Sequence, residues 1–330
     1  MSAALFPSAA ADRRRVLVVG GAGYIGAHVC KALHGAGYAP VVVDDLSTGH
    51  AWAVRWGPLE RCDVTDAAGL ARVFARWRPY AVVHLAARSL VGESVRDPAA
   101  YYAANVGGAL SLLQTMRASG VSRLVVSSSC AVYGAPARQP IDEATPIAPL
   151  SPYGETKAVV DGMLARFAAA YGLAAISLRY FNAAGADFDA RIGESHDPET
   201  HLIPLVLDAA AGLRPDVKIF GVDHATPDGS CIRDYIHVDD LADAHLKAVQ
   251  ALEVGAGFDV FNLGGGVGCS VREVVSAAQR VTGRPIAAVA APRRAGDPPA
   301  LVACSAKARR TLGWAPKVTR LDDIVSSAWS

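Results

Sequence analysis

Tyr153 and Lys157 stand four residues apart in the stretch Ser151-Pro152-Tyr153-Gly154-Glu155-Thr156-Lys157. On a helix that spacing puts both side chains on one face, and Pro152 suits a first turn. A lysine ammonium beside a phenol favours the phenolate, drawing its pKa toward neutrality and making Tyr153 a proton shuttle near pH 7. The same four-residue spacing also describes an amphipathic helix with an exposed lysine and a half-buried tyrosine. The rest of the chain must decide between the two.

A second constellation lies near the N-terminus. The β-branched run Val16-Leu17-Val18-Val19 ends in Gly20-Gly21-Ala22-Gly23-Tyr24-Ile25-Gly26, followed by a helical stretch to about Gly35 and a second apolar run, Pro40 to Asp45. This is a strand, a glycine turn, a helix and a strand, the βαβ unit. Gly20, Gly23 and Gly26 permit a tight turn, close approach of a pyrophosphate and tight helix packing, and the helix N-terminus offers N–H groups to phosphates. Asp44 closes the second strand, where a carboxylate binds ribose hydroxyls and repels a 2′-phosphate. NAD is therefore the expected cofactor.

Three further apolar strands, Ala81–Ala87, Arg123–Ser129 and Ala175–Tyr180, alternate with helical patterns that include Tyr101 to Met116 and Tyr153 to Tyr171. Such alternation predicts an α/β fold with a doubly wound parallel sheet of the Rossmann type, whose ligands sit beyond the carboxyl ends of the strands. After Asn182 the alternation breaks. Residues 183–200 read as a polar loop, then come a helix from about Pro204 to Gly212, a turn at 223–230, a strand–helix unit from Arg233 to Leu252, a strand at 258–263, and helices at 271–281 and 305–312. The glycines at 264–268 read as an ordinary turn. The expected organisation is a disordered tail over 1–14, an NAD-binding Rossmann domain over 15–182 to which 233–265 returns, and a smaller α/β substrate-binding domain over 183–330.

Composition narrows the function classes. Of 330 residues, 52% are hydrophobic and 19% charged, enough for a sizeable core, and the net charge is +1. The only basic run is Arg13-Arg14-Arg15, so no nucleic-acid partner is expected. The N-terminal order, with charge after the apolar residues, is the reverse of a secretory signal. No window is long enough for a membrane span. Six scattered cysteines without a C-x-x-C disfavour structural zinc and suit reduced thiols in a cytoplasm. No metal is expected.

At this point the chain, from about Arg15 to Trp329, resembles the extended short-chain dehydrogenase/reductases, and among them the UDP-glucose 4-epimerase family. The motifs that carry the resemblance are Gly20–Gly26 with Tyr24-Ile25, His84-Leu85-Ala86-Ala87, Val91–Val95, Ser127–Ser129 with Val132-Tyr133-Gly134, Ser151–Gly154 with Lys157, Leu178–Asn182, Arg233–Val238 and Arg293–Asp297. The resemblance implies NAD-dependent interconversion of UDP-galactose and UDP-glucose through a transient 4-keto sugar. It implies that Tyr153 takes the O4 proton, Ser129 hydrogen-bonds O4, and Lys157 also binds the nicotinamide ribose. For the cofactor it implies contacts from Gly20, Gly23, Tyr24, Ile25, Gly26, Asp44, Asp63 and Val64, and from Leu85, Ala86, Ala87, Asn105, Ser127 and Tyr180. For the UDP-sugar it adds Asn182, Leu202, Phe220, Arg233, Arg294 and Asp297, the arginines suiting a diphosphate. A homodimer is also implied.

The chain departs from the family in places. Some relatives carry a cofactor-binding lysine where Ser89 stands, one position after Arg88. Some have Asn-Leu near the uridine where this chain has His201-Leu202. Leu301 falls where a tyrosine limits sugar size in some epimerases and a cysteine relaxes it in others, leaving N-acetyl sugars open. A UDP-xylose/UDP-arabinose 4-epimerase, or one of dual specificity, is the nearest alternative, because a missing hydroxymethyl changes packing by only about 1–3 kcal/mol. Dehydratases of this superfamily place an acid pair after the serine position, where this chain has Cys130 and Ala131. A non-catalytic NAD-binding protein would be expected to lose Tyr153, Lys157 or the serine.

Overall fold

The computed structural model describes residues 13–329 except 190, 256, 295 and 296. The expected tail therefore lies largely outside the described residues. Apolar, β-branched runs form β1 (Arg15–Val19), β2 (Ala39–Asp44), β3 (Leu59–Arg61), β4 (Ala81–His84), β5 (Arg123–Ser129) and β6 (Ala174–Tyr180). The second half contributes β7 (Asn182–Ala184), β8 (Val217–Phe220), β9 (Ile232–His237), β10 (Gly257–Leu263), β11 (Gly268–Ser270), β12 (Ala288–Ala291) and β13 (Ala300–Leu301). Seven strands make one parallel sheet in the order β10-β6-β5-β4-β1-β2-β3. The chain starts in the middle, winds outward to β3, then crosses back to fill the other side, which is the doubly wound arrangement.

Helices α1 (Tyr24–Gly35), α2 (Ala67–Trp77), α3 (Val91–Arg96), α4 (Pro98–Tyr101), α5 (Gly108–Ala118) and α6 (Pro152–Tyr171) belong to the first half. α7 (Leu202–Ala211), α8 (Val238–Ala251), α9 (Val271–Thr282), α10 (Ala306–Leu312) and α11 (Leu321–Trp329) belong to the second. The sheet is apolar on both faces. Val16, Val18, Val42 and Val83 pack with α1 and α8, while Leu17, Val19, Val41 and Val82 pack with α2, α5 and α6. Strands that bury both faces must be continuously hydrophobic, which is how these runs read.

Two sequence expectations need correction. The helix expected from Tyr101 to Met116 is interrupted: residues 102–107 form a π-helical stretch between α4 and α5. Nor is 183–200 wholly a loop, because β7 pairs with β9 in a second sheet with β11 and β13. Three residues are too short to show a two-residue period. Within 233–265, β9 lies in that second sheet, whereas α8 packs on α1 and β10 extends the seven-stranded sheet beside β6. A third apolar cluster holds α7, α9 and α11 together. Helix α11 is a finding the apolar pattern of the sequence did not reveal.

Candidate active site

Register brings the strand ends level. Val19 stands opposite His84, His84 opposite Val126, and Ser129 opposite Tyr180. The chemistry-bearing residues therefore gather beyond one edge of the sheet.

Tyr153 and Lys157 occupy the first two turns of α6. Ser151 caps that helix, its Oγ accepting the Gly154 N–H at 3.2 Å, and Pro152 opens it. A Cβ on Gly154 would lie 2.5 Å from the Ala131 carbonyl oxygen. Only glycine lets α6 come this close to the turn following Ser129. The result is that the Ser129 hydroxyl sits by Tyr153 and favours its phenolate. Ser129 also caps its own turn, accepting the Ala131 N–H at 3.2 Å.

The Lys157 ammonium donates to the Ser127 carbonyl oxygen at 2.8 Å and lies 5.9 Å from the Tyr153 ring centre. Ser127 Oγ is hydrogen-bonded to the Tyr180 hydroxyl. The sequence expectation of a near-neutral Tyr153 is corrected: burial pushes its phenol up to about 12, against the favourable influence of the Ser129 hydroxyl. Burial also lowers Lys157 to about 8, opposed by the nearby Asp161 carboxylate. Desolvation penalises each charged form and is the largest cause of both shifts. His84, at the end of β4, is held neutral by burial and by Lys157, its pKa lowered to about 3.

Behind this group stands a buried network that sequence reading missed. Asp161, one turn beyond Lys157, pairs with the Arg179 guanidinium through two contacts of 2.8 Å and accepts the Ser177 hydroxyl at 2.6 Å. Arg179 donates to the Tyr133 hydroxyl at 2.9 Å, and Tyr133 donates to Asn262 Oδ1 at 2.7 Å. The i, i+4 step from Lys157 to Asp161 was the available signal. The network fixes α6 against β5, β6 and β10.

The glycine loop fits a dinucleotide. A Cβ on Gly26 would lie 2.1 Å from the Gly20 carbonyl oxygen, so the loop folds tightly onto α1. At Gly23 a Cβ would meet nothing nearer than 3.5 Å, leaving room for a ligand to approach the backbone. α1 has no side-chain cap and no acidic residue in its first turn, which leaves its N–H groups to an anion. Leu85 and Ala86 donate their N–H groups to the Val19 carbonyl at 2.7 and 3.0 Å, which sets the 85–87 segment beside the loop. Asp44 accepts the Ala22 N–H on one oxygen and the Leu46 N–H on the other, each at 2.9 Å. These bonds aim the carboxylate without exhausting its acceptor positions.

Other expected cofactor residues have partners within the protein. Asn105 accepts the Arg88 N–H at 2.8 Å and donates to the Arg88 carbonyl and Thr156 Oγ1, each at 3.0 Å. Both its N–H donors are used, so it fastens the 86–88 segment to α6. Arg88 pairs with Glu93 at 3.1 Å. Asp63 is exposed and accepts the Thr65 N–H and hydroxyl, each at 2.8 Å, opening the loop before α2. Val64 packs against α5 at Gly108.

The residues expected at the UDP-sugar cluster around β9. Arg233 and Asp297 form a salt bridge, and the Arg294 guanidinium lies 3.9 Å over the Phe220 ring. Asn182 starts β7 opposite Tyr235, and Leu202 starts α7. Leu301, in β13, is buried with Cys130, Tyr133 and Phe181. The glycines at 264–266 form a turn on Asp234, whose carboxylate accepts the Gly265 and Gly266 N–H groups at 2.7 and 3.0 Å. His201 turns its Nδ1 to Glu194 at 2.8 Å and to Glu199 at 3.2 Å. His196 joins that group, whose close packing the sequence reading did not foresee.

The family model for the NAD dependent epimerase/dehydratase family matches residues 16–264. The UDP-glucose 4-epimerase of Rhizobium meliloti (strain 1021) is 51% identical over 97% of each chain. The crystal structure of UDP-glucose 4-epimerase from Brucella ovis in complex with NAD superposes with a TM-score of 0.93, at 52% identity, covering 96% of this chain and 97% of that one. The epimerase of Bifidobacterium longum, solved with NAD+ and UDP, superposes at 0.92 with 36% identity, covering 96% and 97%.

Proposed function

The chain belongs to the NAD dependent epimerase/dehydratase family, and from that premise we propose that it epimerises a UDP-sugar at C4, converting UDP-galactose to UDP-glucose and back. The observation that carries this reading is the convergence of Ser129, Tyr153 and Lys157 at the strand ends, with the Lys157 ammonium 5.9 Å from the Tyr153 ring and the glycine loop at the same edge of the sheet. The near-full-length identity to UDP-glucose 4-epimerases supports the substrate.

The glycine loop, Asp44 and the 85–87 segment would hold NAD. When bound, NAD supplies the two-electron acceptance and return at the sugar C4. Tyr153 takes the O4 proton as C4 is oxidised and gives it back on reduction, with Ser129 holding O4 between the two steps. Lys157 supplies positive charge to the Tyr153 phenolate. Arg233, Arg294, Asn182, Leu202 and Phe220 anchor the UDP, away from the reacting carbon. Such an anchor retains the 4-keto sugar while the ring turns over. Cys130 and Ala131 offer no acid pair, which separates this site from a dehydratase.

In domain terms, we assign NAD binding to the first half and UDP-sugar binding mainly to residues 183–330. We also propose a homodimer. The exposed apolar side chains Val95, Leu110 and Val159 on α3, α5 and α6 support a shared face, and light scattering on the purified protein tests it. No helix among the described residues is long and apolar enough to cross a membrane.

The activity test is direct. Purified protein given UDP-galactose should form UDP-glucose with no added reductant. Absence of conversion by protein that retains NAD refutes the reading. Tyr153→Phe should retain NAD and lose turnover by about a hundredfold to ten-thousandfold, the range for a positioned acid–base group. Turnover near wild type would remove Tyr153 from the proton path.

A further inference from the structure

We propose that Glu194, His196, Glu199 and His201 form a divalent-metal site of the zinc class, clipping the segment between β7 and α7 over the start of α1. The four residues fall within eight positions, and their ligand atoms all lie within 4.8 Å of one another. The Glu194 and Glu199 side chains are 8% and 14% exposed.

The spacing of the donor atoms is the argument. Nδ1 of His196 lies 3.3 Å from a Glu194 oxygen and 3.4 Å from a Glu199 oxygen. Nδ1 of His201 lies 2.8 Å from Glu194 and 3.2 Å from Glu199. Nitrogen and oxygen ligands about 2.0–2.1 Å from zinc in a tetrahedron stand about 3.3–3.4 Å apart. The two His196 distances match that edge; the His201 distance to Glu194 is shorter, and the 3.2 Å approach of His201 to Glu199 is to Oε1, the other oxygen of the carboxylate that faces His196 through Oε2. Each Nδ1 carries at most one hydrogen, yet each faces carboxylate oxygens of two glutamates. A cation between them satisfies every facing pair at once.

The donor chemistry selects the metal. Two imidazoles and two carboxylates suit zinc, whereas calcium and magnesium take six or more oxygen ligands or retain several waters. Four protein ligands close the tetrahedron and leave no open position, the pattern of a structural metal. Backbone N–H groups of Thr200 and His201 donate to Glu199 Oε1 at 2.6 and 2.8 Å, orienting that carboxylate from outside the cluster.

The position says what the metal would hold. The His196 ring meets the Tyr24 ring edge-on, with centres 6.5 Å apart, and Tyr24 is the first residue of α1. His50 contacts the Ser195 carbonyl at 3.0 Å. A small cleft between them is lined by Gly23, Tyr24, His50, Ser195 and His196. The cluster thus pins the 194–201 segment to the glycine loop on one side and leads into Leu202 of α7 on the other.

The test uses full-length, untagged protein, stripped with EDTA and dialysed, then titrated calorimetrically with zinc alone. One zinc per chain is expected, with a higher Tm in its presence. Cobalt(II) in its place should give the intense visible absorption of a tetrahedral site. His196→Ala/His201→Ala should weaken zinc binding by about a hundredfold or more, the upper end for losing even an outer-shell partner. Should that variant fail to fold, Glu199→Gln carries the same expectation. Stripped wild-type protein that takes up neither metal overturns the proposal, as does a folded variant that binds zinc as wild type does. None of these readouts depends on turnover, so epimerase activity can fail without touching the metal site, and the reverse.

Discussion

Replacing Lys157 by methionine keeps the length of the side chain and removes its charge. The consequence can be worked from the geometry. The ammonium lies 5.9 Å from the Tyr153 ring centre. At an effective dielectric constant near 20, a unit charge at that distance stabilises the phenolate by about 3 kcal/mol, or about two pH units. In NAD-loaded Lys157→Met the rising limb of the kcat–pH profile should therefore move about two pH units higher, and turnover at neutral pH should fall about a hundredfold. The difference should also depend on pH. Lys157 titrates near 8, so wild type loses its own charge above that point and the two profiles should converge as pH rises from 7 to 9. Lys157→Arg, which retains charge, should keep the wild-type limb. The assay is initial-rate conversion of saturating UDP-galactose at each pH, with bound NAD quantified to exclude loss of cofactor. A variant-to-wild-type ratio that stays constant across this window would refute the electrostatic argument. It would leave Lys157 with the Ser127 carbonyl bond alone.

Lys157 also makes stability depend on pH. Its folded pKa near 8 lies below the ordinary 10.5, so between those values the unfolded chain binds a proton that the folded chain does not. The protein should gain on the order of 3 kcal/mol as pH rises through that window, and Lys157→Met should flatten this part of the urea-denaturation profile. Asp161→Ala leaves the buried Arg179 guanidinium unpaired and should cost about 3–5 kcal/mol in the same measurement. A loss under 1 kcal/mol would show that the network does not hold α6. Gly26→Ala places a Cβ 2.1 Å from the Gly20 carbonyl and should yield protein purified without NAD, read by its absorbance ratio. Arg294→Ala removes the cation over Phe220 and should raise the KM for UDP-galactose by about tenfold while retaining NAD, since charge-assisted contacts contribute about 1.5–3 kcal/mol. An unchanged KM would place the UDP elsewhere.

What could be read in the sequence differs in kind from what could not. The glycine loop, the strand runs and the tyrosine–lysine pair are local patterns, legible because a period or a spacing is a property of neighbouring residues. Their meeting at one edge follows from parallel pairing, so the doubly wound parallel sheet was accessible from the sequence, although the short strand β3 was not. Nor was strand β7. Its three residues are held by β9, about fifty positions later in the chain, and no local period announces such a partner. Asn105 shows the same limit from the other side. An amide looks equally suited to a ligand and to a backbone, and only the folded chain shows Arg88 and Thr156 occupying its donors.

Tyr153 states the limit in energetic terms. Sequence spacing placed a cation near a phenol, and from that a depressed pKa followed. The folded chain does bring the two together, yet burial lifts the phenol to about 12 and lowers the amine to about 8. Adjacency is encoded locally, whereas desolvation is set by the whole shell of β5, β6 and α6. A phenol at 12 cannot serve as a base near pH 7 by itself. Bringing it to neutrality takes about five pH units, or about 7 kcal/mol, and Lys157 is already in place in the chain that holds it at about 12. The remaining positive charge must arrive with the oxidised nicotinamide. Proton abstraction is then switched on only when an electron-pair acceptor is present, which couples the two halves of the reaction. The coupling is measurable. The phenolate absorbance of Tyr153 should appear near neutral pH in the NAD+-loaded protein and be absent from the reduced form and from Tyr153→Phe. Equal absorbance in the two redox states would break the coupling.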